Sequence, residues 1–351
     1  MQYRELSGDQ RRQLIDTQQV YQAWREARQD RERRFAGSMR WGERNGSEYL
    51  LRKIGNSETS LGPKNQGAEA AYAAFMSGRE VNKKKLEGLE KRLDTMAPIN
   101  RAMGLGRVPL IAARIARKCD EKGLLGRQLF IVGTNALYAY EALAGVQIGS
   151  DMIATEDIDL LHDSRQELGL AVDKSVRESG LIGLLQSLDK SFSLPHPRSF
   201  RASNKDGYLV DLIRPQSANA VMGKSAASIS ELPDDMAGAE IFGLEWLVNA
   251  PKLNAVALDE RGYPVKLVVI DPRIFALHKV WVSNREDRDP LKRRRDKAQA
   301  VTAALIAKRF LGLTFDFPEL SVQPQPLRDV AAGLLEQVAK LEASLQDGDL
   351  W

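Results

Sequence analysis

The sequence predicts an α/β (α+β) fold in which a sheet-bearing middle is flanked by helical regions at both ends. Three observations carry this. Apolar residues recur at helical spacing through much of the first hundred residues and again after residue 271. Short apolar runs bounded by turn residues punctuate the middle, among them Leu129–Val132, Leu209–Ile213 and Leu267–Ile270. Gly133 follows the first of these runs and opens a helical pattern, the order expected of a strand, a tight turn and a helix.

Taken in order, residues 1 to about 36 read as helix, with Leu6, Leu14, Val20, Tyr21 and Trp24 as apolar positions. A β-hairpin is expected near 38–54, because Asn45-Gly46 lies between two strand-like runs and both residues accept positive φ. Residues 56–67 read as loop. Residues 68–96 return to helix, with Leu86, Leu89 and Leu93 on one face and Lys83–Lys85 on a solvated one. Pro109 and Gly123 bracket a further helix as first residue and C-cap. After strands at 127–133 and 154–163, an amphipathic helix is expected over 165–189. A Pro-rich connection then leads to the strand holding Asp211. Two strands flank a turn at Glu260–Tyr263. Asp271-Pro272 and Asp289-Pro290 each read as an N-cap and first helical residue, and a last helix covers about 326–346. The expected division is a mostly helical N-terminal extension at 1–104, a core at 105–270 and a C-terminal helical domain at 271–351.

The totals exclude several classes. The chain has 351 residues, 43% hydrophobic and 28% charged, with a net charge of +4. A polyanionic partner is permitted but not required. Cys119 is the single cysteine, which rules out an internal disulfide and a cysteine-based metal site and fits a reducing compartment. The polar N-terminus has no signal-peptide core, and no apolar run approaches the roughly 20 residues of a membrane span. A cytoplasmic location without membrane association is therefore expected. His162, His196 and His278 are too scattered to suggest zinc.

Three pieces carry chemistry. In "VGTNALYAYE", Gly133 allows a tight turn, and Thr134 and Asn135 start a helix whose free N–H groups suit phosphate. In "EDIDLL", strand alternation puts Asp157 and Asp159 on one face and Ile158 and Leu160 on the other. Two adjacent carboxylates raise each other's pKa unless a cation lies between them, and oxygen donors at this spacing suit Mg²⁺. Asp211 sits inside "LVDLI", where an unpaired acid is expensive to bury. On a strand beside the first it would complete a three-carboxylate set.

Together these residues resemble the DNA polymerase β-like nucleotidyltransferase superfamily. The stretch "VGTNALYAYE…ATEDIDLL" most resembles a bacterial branch that includes AbiEii-type toxin nucleotidyltransferases, with Thr155 at the Ser/Thr position of their acidic strand. The match covers roughly 125–300. It implies a mixed-sheet nucleotidyltransferase core, Mg²⁺ or Mn²⁺ held by Asp157, Asp159 and Asp211, and an NTP as substrate. It implies that Gly133, Thr134, Asn135, Lys279, Arg295 and Asp296 bind the nucleotide, with Asp296 orienting Lys279 or accepting a proton. Thr134 and Asn135 depart from the Gly-Ser or Gly-Gly of many members, and the spacing from Gly133 to Asp157 is longer than in compact ones.

The expected function is transfer of an NMP from an NTP to an acceptor hydroxyl with release of pyrophosphate. RNA, especially a tRNA end, is one acceptor that the basic "KRRRDK" run suits. A protein hydroxyl and a small molecule stay open, and an antitoxin protein is a further candidate partner. The alternative is an inactive nucleotidyltransferase fold that binds nucleic acid or a partner. A missing carboxylate would favour it, and all three are present.

Overall fold

A computed structural model describes residues 3–44, 46–165, 174–216, 229–230, 232–316, 318–321 and 323–348. The chain divides into two units. One comprises 1–8, 106–260 and 265–351; the other comprises 9–105 and 261–264.

The elements of the first stretch are β1 (Tyr3–Glu5), α1 (Gly8–Arg33), β2 (Ser38–Arg44), β3 (Ser47–Ile54), β4 (Ser57–Pro63) and α2 (Gln66–Ala102). In the second unit α1 and α2 run antiparallel. Gln13 donates to Asn100, Trp24 to Glu90, and Asn82 to the Ala27 carbonyl, so low numbers on one helix meet high numbers on the other. The hairpin forms as the sequence predicts, with Arg44 opposite Ser47. Gly46 has φ +72°, while Asn45 lies outside the described residues. Residues 56–67 are a correction, because Ser57–Pro63 adds a third antiparallel strand where a loop is expected. Gly62 and Pro63 hid it, both of which read as loop residues yet sit harmlessly at an edge. Two basic residues of the hairpin, Arg40 and Arg52, are engaged locally. Arg40 pairs with Glu58, Arg52 donates to the Arg34 and Ala36 carbonyls, and Trp41 packs on Tyr72.

The first unit continues with α3 (Leu110–Glu121), β5 (Leu129–Val132), α4 (Ala136–Ala144), β6 (Val146–Ile148), α5 (Ser150–Ile153) and β7 (Asp157–His162). Then come α6 (Lys174–Leu188), β8 (Arg201–Ser203), β9 (Leu209–Pro215), β10 (Ala239–Ile241), α7 (Leu244–Asn249), β11 (Lys252–Leu258) and β12 (Pro264–Ile270). The helices α8 (Pro272–Ser283), α9 (Pro290–Arg309), α10 (Pro318–Ser321) and α11 (Gln325–Gly348) end the chain. A second correction falls at the N-terminus. Tyr3–Glu5 is a strand paired antiparallel with Val146–Ile148, a long-range contact that local periodicity cannot reveal. The helix expected over 165–189 spans Lys174–Leu188 and breaks at Gly180, and 166–173 lie outside the described residues. Pro109 is an N-cap rather than the first helical residue.

The central sheet has the order β10-β9-β7-β5-β12-β11, with β8 also on β9. It is mixed: β7 is parallel to β9 and antiparallel to β5, and β5 is parallel to β12. Every residue of β5 is buried, as a four-residue apolar strand covered on both faces must be. Asp271 and Asp289 cap α8 and α9 by accepting from the N–H groups of Arg273 and Leu291. Tyr140 of α4 donates to the Ile270 carbonyl at 2.7 Å and meets Phe275 edge-on, tying α4 to the start of α8.

Candidate active site

The acidic residues are placed by strand register. Asp159 of β7 lies directly opposite Asp211 of β9, and Asp157 lies opposite Leu209. Residues opposite one another share a face, so Asp157, Asp159 and Asp211 stand on one side of the sheet. Ile158, Leu160, Val210 and Leu212 fill the other side and are buried. This pattern anchors the register, because a one-residue slip would bury the acids among aliphatic side chains. Burial, and next the Asp157 carboxylate, push the Asp159 carboxyl up to about 6, while the Lys279 ammonium pulls the other way. The Thr155 hydroxyl donates to the Asp157 carboxylate.

Gly133 has φ +63°, and a Cβ there would lie 2.0 Å from Asp159 Oδ2. The turn therefore needs glycine for two reasons: its left-handed backbone, and the carboxylate seated against its α-carbon. Asn135 Nδ2 donates to the Asp157 carbonyl at 2.7 Å, locking the turn to the acidic strand. The buried Asn135 Oδ1 has no hydrogen-bond partner in the structure.

Helix α9 closes the other side of the turn. Arg295 Nη2 and Gln299 Nε2 reach the Thr134 hydroxyl at 3.4 and 3.3 Å, and Gln299 also donates to the Met152 carbonyl at 2.6 Å. Gln299 is fully buried and is a residue that sequence reasoning missed. Its signal was an amide inside the apolar run of α9, where a polar side chain requires a partner.

Lys279 and Asp296 are brought together. Lys279 Nζ donates to Asp296 Oδ1 at 2.7 Å, and Arg288 Nε donates to Oδ2 at 2.7 Å. Asp296 is 1% exposed, so one buried carboxylate holds two cations of α8 and its following loop. Asp296→Asn keeps the shape but removes the charge both cations face. It is expected to cost about 2 kcal/mol of stability, read by urea denaturation of the two proteins side by side.

Asp211 is buried and bound on both oxygens. Arg201, its cross-strand partner on β8, donates from Nε to Oδ1 at 2.7 Å and from Nη2 to Oδ2 at 2.5 Å. The sequence gives no hint of this fork, since Arg201 lies in what reads as a Pro-rich connection. Asp163, just past the end of β7, is forked by Arg165.

Among the described residues, no three acidic, histidine or cysteine side chains stand together as a set that could hold a metal ion. The donor chemistry still fits Mg²⁺ or Mn²⁺. Asp157 and Asp159 supply hard oxygen donors side by side, and the raised Asp159 is a carboxyl whose ionisation a cation would favour. Asp211 shares their face, but its oxygens are turned to Arg201.

No curated protein matches the chain. A solved structure described as an antigenic nucleotidyltransferase-like protein from Paracoccidioides brasiliensis is similar at 19% identity, over 67% of this chain and 90% of that one, with a TM-score of 0.34. Among the described residues no helix is long and apolar enough to cross a membrane. A family model described as nucleotidyltransferase matches residues 111–317, from α3 through the acidic strands to beyond α9, and the chain belongs to that family.

Proposed function

We propose that the protein transfers an NMP from an NTP to an acceptor hydroxyl, with Mg²⁺ or Mn²⁺ as cofactor and pyrophosphate as leaving group. The observation that carries this is the register of β7 and β9, which sets Asp159 opposite Asp211 with Asp157 on the same face. That face adjoins the Gly133–Asn135 turn, where Asp159 touches Gly133. Asp157 and Asp159 would hold the metal, and Asp211 would complete the set. When bound, the ion supplies Lewis-acid neutralisation of triphosphate charge.

The rest falls to the chain's own groups. The N–H groups after Gly133 and the Thr134 hydroxyl would bind phosphate at the start of α4. Asn135 fixes the turn to Asp157. Lys279, oriented by Asp296, and Arg295 would add positive charge beside the triphosphate. Asp211 would also take the acceptor proton. RNA, especially a tRNA end, is the acceptor that the basic Lys292–Lys297 run of α9 suits, and an antitoxin protein is a candidate partner for a toxin role.

The test is incubation of the purified chain with Mg²⁺ or Mn²⁺, each labelled NTP and total RNA, with Asp157→Ala/Asp159→Ala alongside. Label transfer by the wild type alone is the expected result. Transfer by neither, with no metal- and NTP-dependent thermal stabilisation, would favour an inactive fold that serves as a nucleic-acid or partner-binding module.

A further inference from the structure

The acid that should complete the metal-binding set is already in use. Both oxygens of Asp211 are held by the Arg201 fork at 2.7 and 2.5 Å. Cross-strand register enforces the pair, because Arg201 sits directly opposite Asp211 on β8 while Asp159 sits directly opposite it on β7. Asp211 thus stands between a guanidinium on one neighbouring strand and a carboxylate on the other. The two ends of the pair differ in freedom. The Arg201 side chain is 44% exposed, whereas that of Asp211 is 9% exposed. The carboxylate is fixed by its strand, and the long arginine side chain is the member able to move.

We propose that Arg201 is a built-in counter-ion that competes with metal for Asp211, and that an incoming nucleotide phosphate draws it away. This rests on the nucleotidyltransferase reading of the site. The fork that matches a carboxylate matches a phosphate equally well, so the guanidinium can exchange one bidentate partner for another. The attraction of Arg201 is shared with Asp157 and Asp159, so it lies within the field of all three acids and beside the path of a triphosphate to them. In the nucleotide-free protein the first ion binds at Asp157 and Asp159, and Asp211 stays closed to metal. Nucleotide binding opens it. Arg201 acts through Asp211 and is therefore a positioning residue. The device would keep a complete metal set from assembling before substrate arrives.

The test reads metal binding directly. Full-length wild type, Arg201→Gln, Arg201→Lys and Arg201→Gln/Asp211→Asn are titrated with Mn²⁺, and the free ion is followed by electron paramagnetic resonance. The titrations are made without nucleotide and then with a non-hydrolysable NTP analogue. Arg201→Gln is expected to bind Mn²⁺ roughly tenfold more tightly, or to take up an additional ion, without nucleotide. Arg201→Lys, which keeps the charge but loses the fork, should fall between. The double variant should lose the gain, because the freed carboxylate charge is gone. The analogue should raise Mn²⁺ affinity in wild type more than in Arg201→Gln.

Unchanged or weaker Mn²⁺ binding by Arg201→Gln would overturn the proposal and make Arg201 a scaffold for Asp211. Should Arg201→Gln fail to fold by circular dichroism, Arg201→Lys decides by the same comparison. If wild type binds no more Mn²⁺ than Asp157→Ala/Asp159→Ala, the nucleotidyltransferase reading itself falls with it.

Discussion

Asp159→Asn is expected to make the metal-free protein more stable at pH 7.5 while reducing nucleotidyl transfer by about a thousandfold or more. The two effects have one origin. Burial and the neighbouring Asp157 carboxylate push Asp159 up to about 6, which means the folded protein resists the charge that the proposed metal binding would use. A raised acid binds a proton more tightly folded than unfolded. Stability therefore falls as pH rises from the unfolded value near 4 to about 6, and the full penalty applies above that. The shift corresponds to about 3 kcal/mol at most. Asparagine removes the charge at nearly constant shape. Its advantage over wild type should be present above pH 6 and vanish below pH 4. Urea denaturation at pH 4, 5, 6 and 7.5 measures this. A variant less stable than wild type at pH 7.5 would show that Asp159 is not under electrostatic strain.

Gly133→Ala should abolish transfer and also lower stability. The added methyl would lie 2.0 Å from Asp159 Oδ2, inside any allowed contact. It would also force a side chain onto a left-handed backbone at φ +63°, which alone costs about 1–2 kcal/mol. Asp159 has little room to retreat, because Leu160 and Ile158 on either side are fully packed on the opposite face. A total loss of about 3 kcal/mol is expected from the two terms. Thermal unfolding and the label-transfer assay check the two consequences separately. A Gly133→Ala protein that folds normally and transfers normally would remove the turn from the site.

These expectations show where the sequence is informative. Alternation made the face of Asp157 and Asp159 readable, because a strand has a period of two and its other side must be apolar. Asp271-Pro272 and Asp289-Pro290 marked α8 and α9 correctly, since a cap is a local bond within three residues. The reason for Gly133 was only half legible. A tight turn explains a glycine, but the seat of Asp159 against it depends on how β5 and β7 pair. Arg201 was not legible at all, because its role is fixed by β8 lying against β9, and β8 has only three residues. Gln299 was similarly hidden in a helix whose register against the Gly133 turn is a tertiary fact. The strand Ser57–Pro63 and the strand Tyr3–Glu5 were missed for the same kind of reason, since each is too short or too irregular to announce itself.

The pairing of Tyr3–Glu5 with Val146–Ile148 also orders events on the ribosome. The first strand of the chain has nothing to pair with until residue 148 has been made. At usual rates of elongation that is a wait on the order of ten seconds. In that interval the helices and the three-stranded meander of residues 9–105 are synthesised. The unit that holds 9–105 waits longer still, for 261–264, where the buried Asn100 amide donates to the Gly262 carbonyl. The strand partner of the first residues lies nearly halfway along the chain, and the Tyr3 ring must wait beyond that, for the edge of Phe310 after α9.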